Sequence, residues 1–212
     1  MQKARIELSN SRNSDSITAA TRELIKEKGY REVSVQDICK RSGVSRSSFY
    51  SVFSGKDDVL LHMIRSLKED SERILAHFVT ARSDLERIWR LYDTYLNVAL
   101  EFGPDIMASF LSVDAQSNIG FLQQFYLYND WFKTLVKSCQ RQGIILNTGP
   151  AGELVDAAVY SAFGTVLEWC RQKGGFDLRQ RSFSAHEAIY NIHPDYRGIW
   201  RDMEVKADGE NN

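Results

Sequence analysis

The chain has 212 residues, 43% of them hydrophobic and 26% charged, with a formal net charge of −1. That length supports a substantial core in one or two domains. No run of about 18 apolar residues occurs, so no transmembrane helix is expected, and the opening M-Q-K-A-R-I-E-L-S-N lacks the apolar core of a signal peptide.

Cys39, Cys139 and Cys170 show no C-x-x-C spacing. Neither a disulfide framework nor a zinc site is expected, and a reducing cytoplasm is the simpler setting. Three prolines in the whole chain favour an all-α fold. The near-zero net charge hides a division. Residues 1–56 carry 11 Lys and Arg against 6 Asp and Glu, a net of +5, and residues 57–212 carry 16 against 22, a net of −6. A basic N-terminal part on an acidic body suits attraction to phosphate at one end.

In chain order, residues 1–13 are polar and read as frayed. Asp15 or Ser16 is placed to cap a first helix running to about Lys28, with Ile17, Ala20, Leu24 and Ile25 as its apolar stripe and Gly29 as its stop. Ser34 is an N-cap candidate for a second helix whose apolar face is Val35, Ile38 and Cys39. Gly43 supplies a turn that needs positive φ. Ser45 caps a third helix that buries Phe49 and exposes Arg46, Ser47, Ser48 and Tyr50. That exposed side joins a cation and a phenol to small hydroxyls, a surface able to enter a major groove and meet bases and phosphates.

Further helices are expected over 56–79, 83–102, 104–112, 119–142, 152–173 and 184–192. Gly103-Pro104 breaks the second of these, 114–118 reads as a polar loop, and the chain from Glu204 as a disordered tail. The domain reading is 1–55 for the helix-turn-helix head, 56–203 for the body and 204–212 for the tail. Trp89, Tyr92, Phe110, Phe125, Tyr128 and Phe132 either line an apolar pocket or fill an ordinary core. No G-x-S-x-G, P-loop or H-E-x-x-H occurs, and His62, His77, His186 and His193 are scattered. No catalytic residue, metal or cofactor is expected.

The run from Ser34 to Leu60 resembles the TetR family of bacterial transcriptional regulators. The family pattern is roughly T-x-x-x-I-A-x-x-A-G-V-S-x-x-x-[FY]-Y-x-[HY]-F-x-x-K-x-x-L, and the chain meets it at Ile38, Gly43, Val44, Ser45, Phe49, Tyr50, Phe53, Lys56 and Leu60. It departs at Cys39 and Ser42, where the family usually has Ala, and at Val52, where His or Tyr often meets a phosphate. The resemblance implies an N-terminal three-helix DNA-binding head and a C-terminal helical body for effector binding and dimerisation. It implies a repressor that binds a palindromic operator in double-stranded DNA as a homodimer and is released by a small hydrophobic or aromatic effector. The DNA contacts it implies are Ser34, Ser45, Arg46, Ser47, Ser48, Tyr50 and Lys56. Helix 152–173, with Ala158, Ala162, Thr165 and Trp169, is implied as the dimer interface. An activator, a ligand-independent regulator, or a helical interaction protein with a structural helix-turn-helix are the alternatives.

Overall fold

A computed structural model describes residues 2–68, 79–117 and 129–204. The described residues are helical, with one isolated antiparallel bridge between Ile145 and Ile192 and no strand among them. The chain divides into two compact units, Met1–Glu69 with Asp105–Phe121, and Asp70–Pro104 with Leu122–Asn212.

In the first unit α1 spans Gln2–Lys28. It begins well before the expected cap, and Asp15 and Ser16 lie exposed in mid-helix. The stretch 2–28 holds no Gly or Pro, so nothing in it stops a helix. Ile17, Ala20, Leu24 and Ile25 are buried, as the periodicity requires. Gly29 ends the helix at φ 79°, and a 3-10 turn follows over Tyr30–Glu32. Helix α2, Val35–Ser42, opens with a capping box. Ser34 Oγ accepts from the Asp37 amide, and the Asp37 carboxylate accepts from the Ser34 amide. Gly43 closes α2 in the left-handed region, φ 70°. Helix α3 is Arg46–Tyr50, with Ser45 as its N-cap, and α4 is Lys56–Lys68. Helix α1 packs against α2, α3 and α4. Helix α6, Pro104–Ser117, takes in residues 114–117 of the expected loop, and Asp114 within it is buried.

Lys56 ties two parts of this unit together. Its ammonium donates to the carbonyls of Tyr30 and Val33 at 3.0 and 2.9 Å, approaches that of Arg31 at 3.4 Å, and lies 4.5 Å from the centre of the Tyr30 ring. The Tyr30 hydroxyl donates to Asp57 in the first turn of α4. The link between α1 and α2 is thus fastened to the start of α4. The contact grouping places α4 in the first unit with α1, α2 and α3.

In the second unit α5 (Asp84–Phe102), α7 (Asn129–Arg141), α8 (Ala151–Arg171) and α9 (Leu178–Tyr190) touch in a closed circuit, α5 to α7 to α8 to α9 and back to α5. Ser83 caps α5, and Gly103 ends it at φ 78°. Helix α9 starts six residues before the expected position because Asp177 caps it, accepting from the Gln180 amide. A 3-10 turn, Pro194–Tyr196, and a short α10, Arg201–Glu204, follow.

The core of this unit is aromatic and partly polar. His186 is fully buried, and its Nε2 donates to the Ala158 carbonyl at 3.0 Å. Trp89, Tyr92, Phe183 and the imidazole of His186 form a ring cluster, with Tyr92 4.2 Å from His186. The hydroxyls of Tyr92 and Tyr190 meet at 2.6 Å. Burial raises the pKa of both phenols, so they stay neutral donors and acceptors.

Two expectations follow. Lys56→Met keeps the aliphatic stem but leaves carbonyls without their charged donor, and should lower head stability by about 1–3 kcal/mol, read as a lower urea midpoint. The second concerns pH. Burial pushes the His186 pKa down from 6.5 to about 4. Below 6.5 the unfolded chain takes up a proton that the folded imidazole refuses until about 4. The stability this group contributes is therefore present above 6.5 and is lost as pH falls toward 4, by about 3 kcal/mol. His186→Gln keeps a donor for Ala158, and its unfolding midpoint should fall less over that window than the wild type's.

Candidate functional site

Helix α3 is held from one side and presented from the other. Phe49 is 0% exposed, with Phe53 6.0 Å away and Tyr50 edge-on at 5.4 Å. Burying Phe49 turns the opposite face outward. Arg46 and Tyr50 stand four apart on that face, and Ser47 and Tyr50 three apart. Tyr50 is 51% exposed, and Arg46 and Ser47 are exposed as well. Ser45 is the hub of the turn. Its Oγ accepts from the Ser48 amide at 3.1 Å and lies 3.0 and 2.9 Å from the hydroxyls of Ser47 and Ser48.

The cations of the head differ in how far they are already engaged. Arg41 makes a bidentate pair with Glu27 at 2.8 and 2.7 Å and reaches Glu23 at 3.2 Å. The Arg41 hydrogen bond holds the Glu27 carboxyl below its usual range. Lys28 pairs with Asp37 at 2.9 Å, and Lys56 is turned onto backbone carbonyls. Arg46 makes no hydrogen bond or ion pair with a described residue, and neither does Lys40 in the last turn of α2. Both charges are exposed, and Arg46 shares its helix with the exposed Ser47 and Tyr50 hydroxyls, groups that suit a phosphodiester backbone and base edges. Lys40 was not singled out from sequence; its place one residue before the paired Arg41 gave no sign of which cation would stay unpaired.

Ser34 and Lys56, both expected as DNA contacts, also make hydrogen bonds within the chain. The Ser34 hydroxyl is engaged with Asp37 in the capping box. The N-terminus of α4 carries Asp57 and Asp58, and Asp58 accepts from the Ser54 amide at 2.9 Å. That end is already served by carboxylates, and the Lys56 ammonium is directed to the Tyr30 and Val33 carbonyls.

Of the six residues named for an effector, Trp89, Tyr92 and Phe132 are brought together in the second unit. All three are buried, with Tyr92 and Phe132 4.7 Å apart. Phe110 is buried in the first unit, and Phe125 and Tyr128 lie outside the described residues. An open cavity of about 540 Å³ occurs elsewhere in the second unit, with Asp93, Trp169, Phe176, Arg179, Phe183 and Trp200 in its wall. Sequence reading missed it because Gly174-Gly175 and the segment after Pro194 read as punctuation.

On α8, Ala158 and Trp169 are buried within the chain, and Ala162 and Thr165 are half-buried. The exposed apolar residues are Tyr160 at 62% and Leu167 at 58%, with Ala157 and Gly164 exposed between and beside them. On α9 the exposed residues include the small Ser184 and Ala188.

Comparison with known proteins agrees with this geometry. The family description "Bacterial regulatory proteins, tetR family" matches residues 17–63. The HTH-type transcriptional regulator SAR2658 of Staphylococcus aureus is 26% identical over 129 residues, 58% of this chain and 68% of that protein. A TetR-family transcriptional regulator from Syntrophomonas wolfei superposes with a TM-score of 0.63 at 19% identity, over 86% of this chain and 96% of that one. The Bacillus subtilis regulator FadR, in complex with stearoyl-CoA, superposes with a TM-score of 0.58 at 20% identity, over 84% and 98%. At such identities the structural likeness is one of fold. The matched segment is the one that holds α3 by Phe49 and presents Arg46, Ser47 and Tyr50, and residues 17–63 carry the helix-turn-helix of bacterial regulatory proteins of the tetR family.

Proposed function

We propose that the chain is a ligand-responsive repressor that binds a palindromic operator as a homodimer. The observation that carries DNA binding is the exposed patch of Arg46, Ser47 and Tyr50 on a helix pinned by Phe49. Arg46 is the base-reading residue, because its guanidinium is unengaged and matches the two acceptors of a guanine edge. Lys40 and Tyr50 meet the phosphates. One such helix is too small to be specific, and a two-fold pair reads half-sites about 10 bp apart or a multiple of that.

The pairing surface is the face of α8 that exposes Tyr160, Gly164 and Leu167, with Ser184 and Ala188 of α9 beside it. Two large apolar side chains on one helix face flanked by small residues favour close approach of a second copy. FadR, with its acyl-CoA, supports a small effector with an apolar part. An effector that favours head separations unlike the operator's would weaken DNA binding by a coupling free energy of about 1–3 kcal/mol. The chain acts by binding in the cytoplasm and not by turnover.

Selection of operator sequences from a palindromic library, followed by titration at several salt concentrations, tests this reading. Arg46→Ala should cost about 1–3 kcal/mol and relax preference at one operator position. A uniform loss over all sequences would place Arg46 on phosphate instead. Leu167→Glu should shift sedimentation from dimer to monomer and weaken operator binding, since it sets an unpaired carboxylate in an apolar contact. Ala158→Glu should instead unfold the second unit, because that side chain is 0% exposed within one chain. A monomeric wild type at micromolar concentration overturns the dimer.

A further inference from the structure

The cavity of about 540 Å³ lies wholly within the second unit, where the end of α8, the start of α9, α5 and the segment around Trp200 meet. Its volume falls in the range of about 300–1,000 Å³ that small-molecule sites occupy. Trp169, Phe176, Phe183 and Trp200 supply its aromatic wall, with Phe183 and Trp200 5.2 Å apart. The polar groups of that wall are tied to the chain itself. Arg179 Nε donates to Asp93 at 2.7 Å, Asn97 donates to Asp93 at 2.9 Å, Asp177 caps α9, and Trp200 Nε1 donates to Glu187 at 3.0 Å.

One helical turn deeper the polar groups are not served. Helices α5 and α9 run antiparallel, since Arg179 meets Asp93 and Asn97 while Phe183 and His186 meet Trp89. Arg179, Ser182, Phe183 and His186 share one face of α9, and Leu100, Asp93 and Trp89 share one face of α5. Arg179, Phe183, Asp93 and Leu100 line the cavity, and Trp89, Ser182 and His186 continue the same two faces away from it, each 0% exposed. Trp89 Nε1, Ser182 Oγ and His186 Nδ1 have no hydrogen-bond partner among the described residues. Buried polar groups are nearly always paired, and each one left over costs stability. Ser182 and His186 stand four apart on α9, and the imidazole lies parallel to the Trp89 indole with centres 6.4 Å apart. Phe183 stands between this group and the cavity, edge-on to Trp89 at 5.6 Å and to His186 at 6.4 Å.

The three atoms ask for one kind of group. His186 Nε2 donates to the Ala158 carbonyl, so Nδ1 carries the lone pair and accepts, and burial pushes the pKa of the ring down to about 4, which keeps it neutral. Trp89 Nε1 only donates, and Ser182 Oγ can donate as well. A hydroxyl, with one donor and two acceptor lone pairs, answers all three. We propose that the cavity binds a neutral apolar alcohol, its body against the four rings and its hydroxyl reaching past a rotated Phe183 side chain to donate to His186 Nδ1 and accept from Trp89 Nε1 and Ser182 Oγ. A carboxylate or ammonium in that place would be buried without a counter-charge. The inference rests on the reading that the chain responds to a small molecule, and it names the class of that molecule.

Equilibrium dialysis of the full chain against 2-naphthylmethanol, 2-ethylnaphthalene and 2-naphthoate tests it. The alcohol should bind at one site per chain, roughly tenfold or more tighter than the hydrocarbon that has a methyl in place of its hydroxyl, as two or three added hydrogen bonds imply. The carboxylate should bind more weakly than the alcohol. Ser182→Ala removes a hydroxyl without a partner, so it should raise the unfolding midpoint of the free chain, narrow the alcohol's advantage and leave the hydrocarbon's affinity unchanged. The nitrogen-15 resonance of His186 Nδ1 should move upfield with the alcohol and stay in place with the hydrocarbon. Leu100→Trp, which fills the cavity from a half-buried lining position, should abolish binding of both; circular dichroism shows whether that variant folds, and if it does not, Ser182→Ala decides. Equal affinities for alcohol and hydrocarbon, tighter binding of the carboxylate, an unmoved Nδ1 resonance, or a Ser182→Ala chain that keeps the full advantage overturns the proposal and leaves the three polar atoms to internal water. If the alcohol binds as described and operator affinity does not change, the site stands and the ligand-responsive reading falls. If an effector releases operator equally from wild type and from a folded Leu100→Trp chain, the response stands and this site falls.

Discussion

The second helix of the helix-turn-helix has five residues, Arg46–Tyr50, and a helix of that length forms too few internal hydrogen bonds to persist by itself. Its orientation is imposed from outside. Phe49 is driven into the core of the head, with Phe53 beside it, and the hydrophobic gain of burying a Phe side chain is about 1.5–3 kcal/mol. That single inward ring decides which residues face outward. Ser45 adds the cap, and the left-handed Gly43 sets the angle at which the chain enters the helix.

The same dependence runs through the rest of the head. The capping box of Ser34 and Asp37 fixes where α2 begins, and the Lys56 ammonium fastens the preceding turn by its carbonyls. Arg46 and Lys40 are among the exposed cations of the head that make no hydrogen bond or ion pair with a described residue. The second unit follows a comparable logic. His186 can be buried because Ala158 is small enough to let its carbonyl accept the imidazole N–H, and Tyr92 and Tyr190 satisfy each other across α5 and α9. Burial of polar groups on these terms specifies one packing of the four helices, since a shifted register would leave the hydroxyls unpaired.

Much of the head was legible in the residues. Helical spacing of Ile17, Ala20, Leu24, Ile25, Ile38 and Phe49 marked its core, and all six are buried. Ser34, Gly43 and Ser45 marked the ends of α2 and α3, because capping hydroxyls and left-handed glycines act on their immediate neighbours. The all-helical class was equally plain, and so was the break at Gly103-Pro104. Periodicity could not tell that Ala158 is buried within its own chain and Tyr160 exposed, since which side of an apolar helix meets its own chain depends on where α7 and α9 lie.

What the sequence by itself determined was therefore the helical class, the helix-turn-helix and the identity of its inward ring, all set by neighbours within a few positions along the chain. Only the tertiary structure decided how the longer-range groups are used. Lys56 meets carbonyls from residues 23 to 26 positions earlier, Arg41 meets Glu23 and Glu27 on another helix, and Trp89 and Tyr92 pack against His186 from a third. The cavity bounded by Trp169, Phe183 and Trp200 likewise joins three separate segments. A charged or aromatic side chain has the same local signature whether it faces solvent, a ligand or its own chain, and the choice is made by whichever partner the fold brings within a few ångströms.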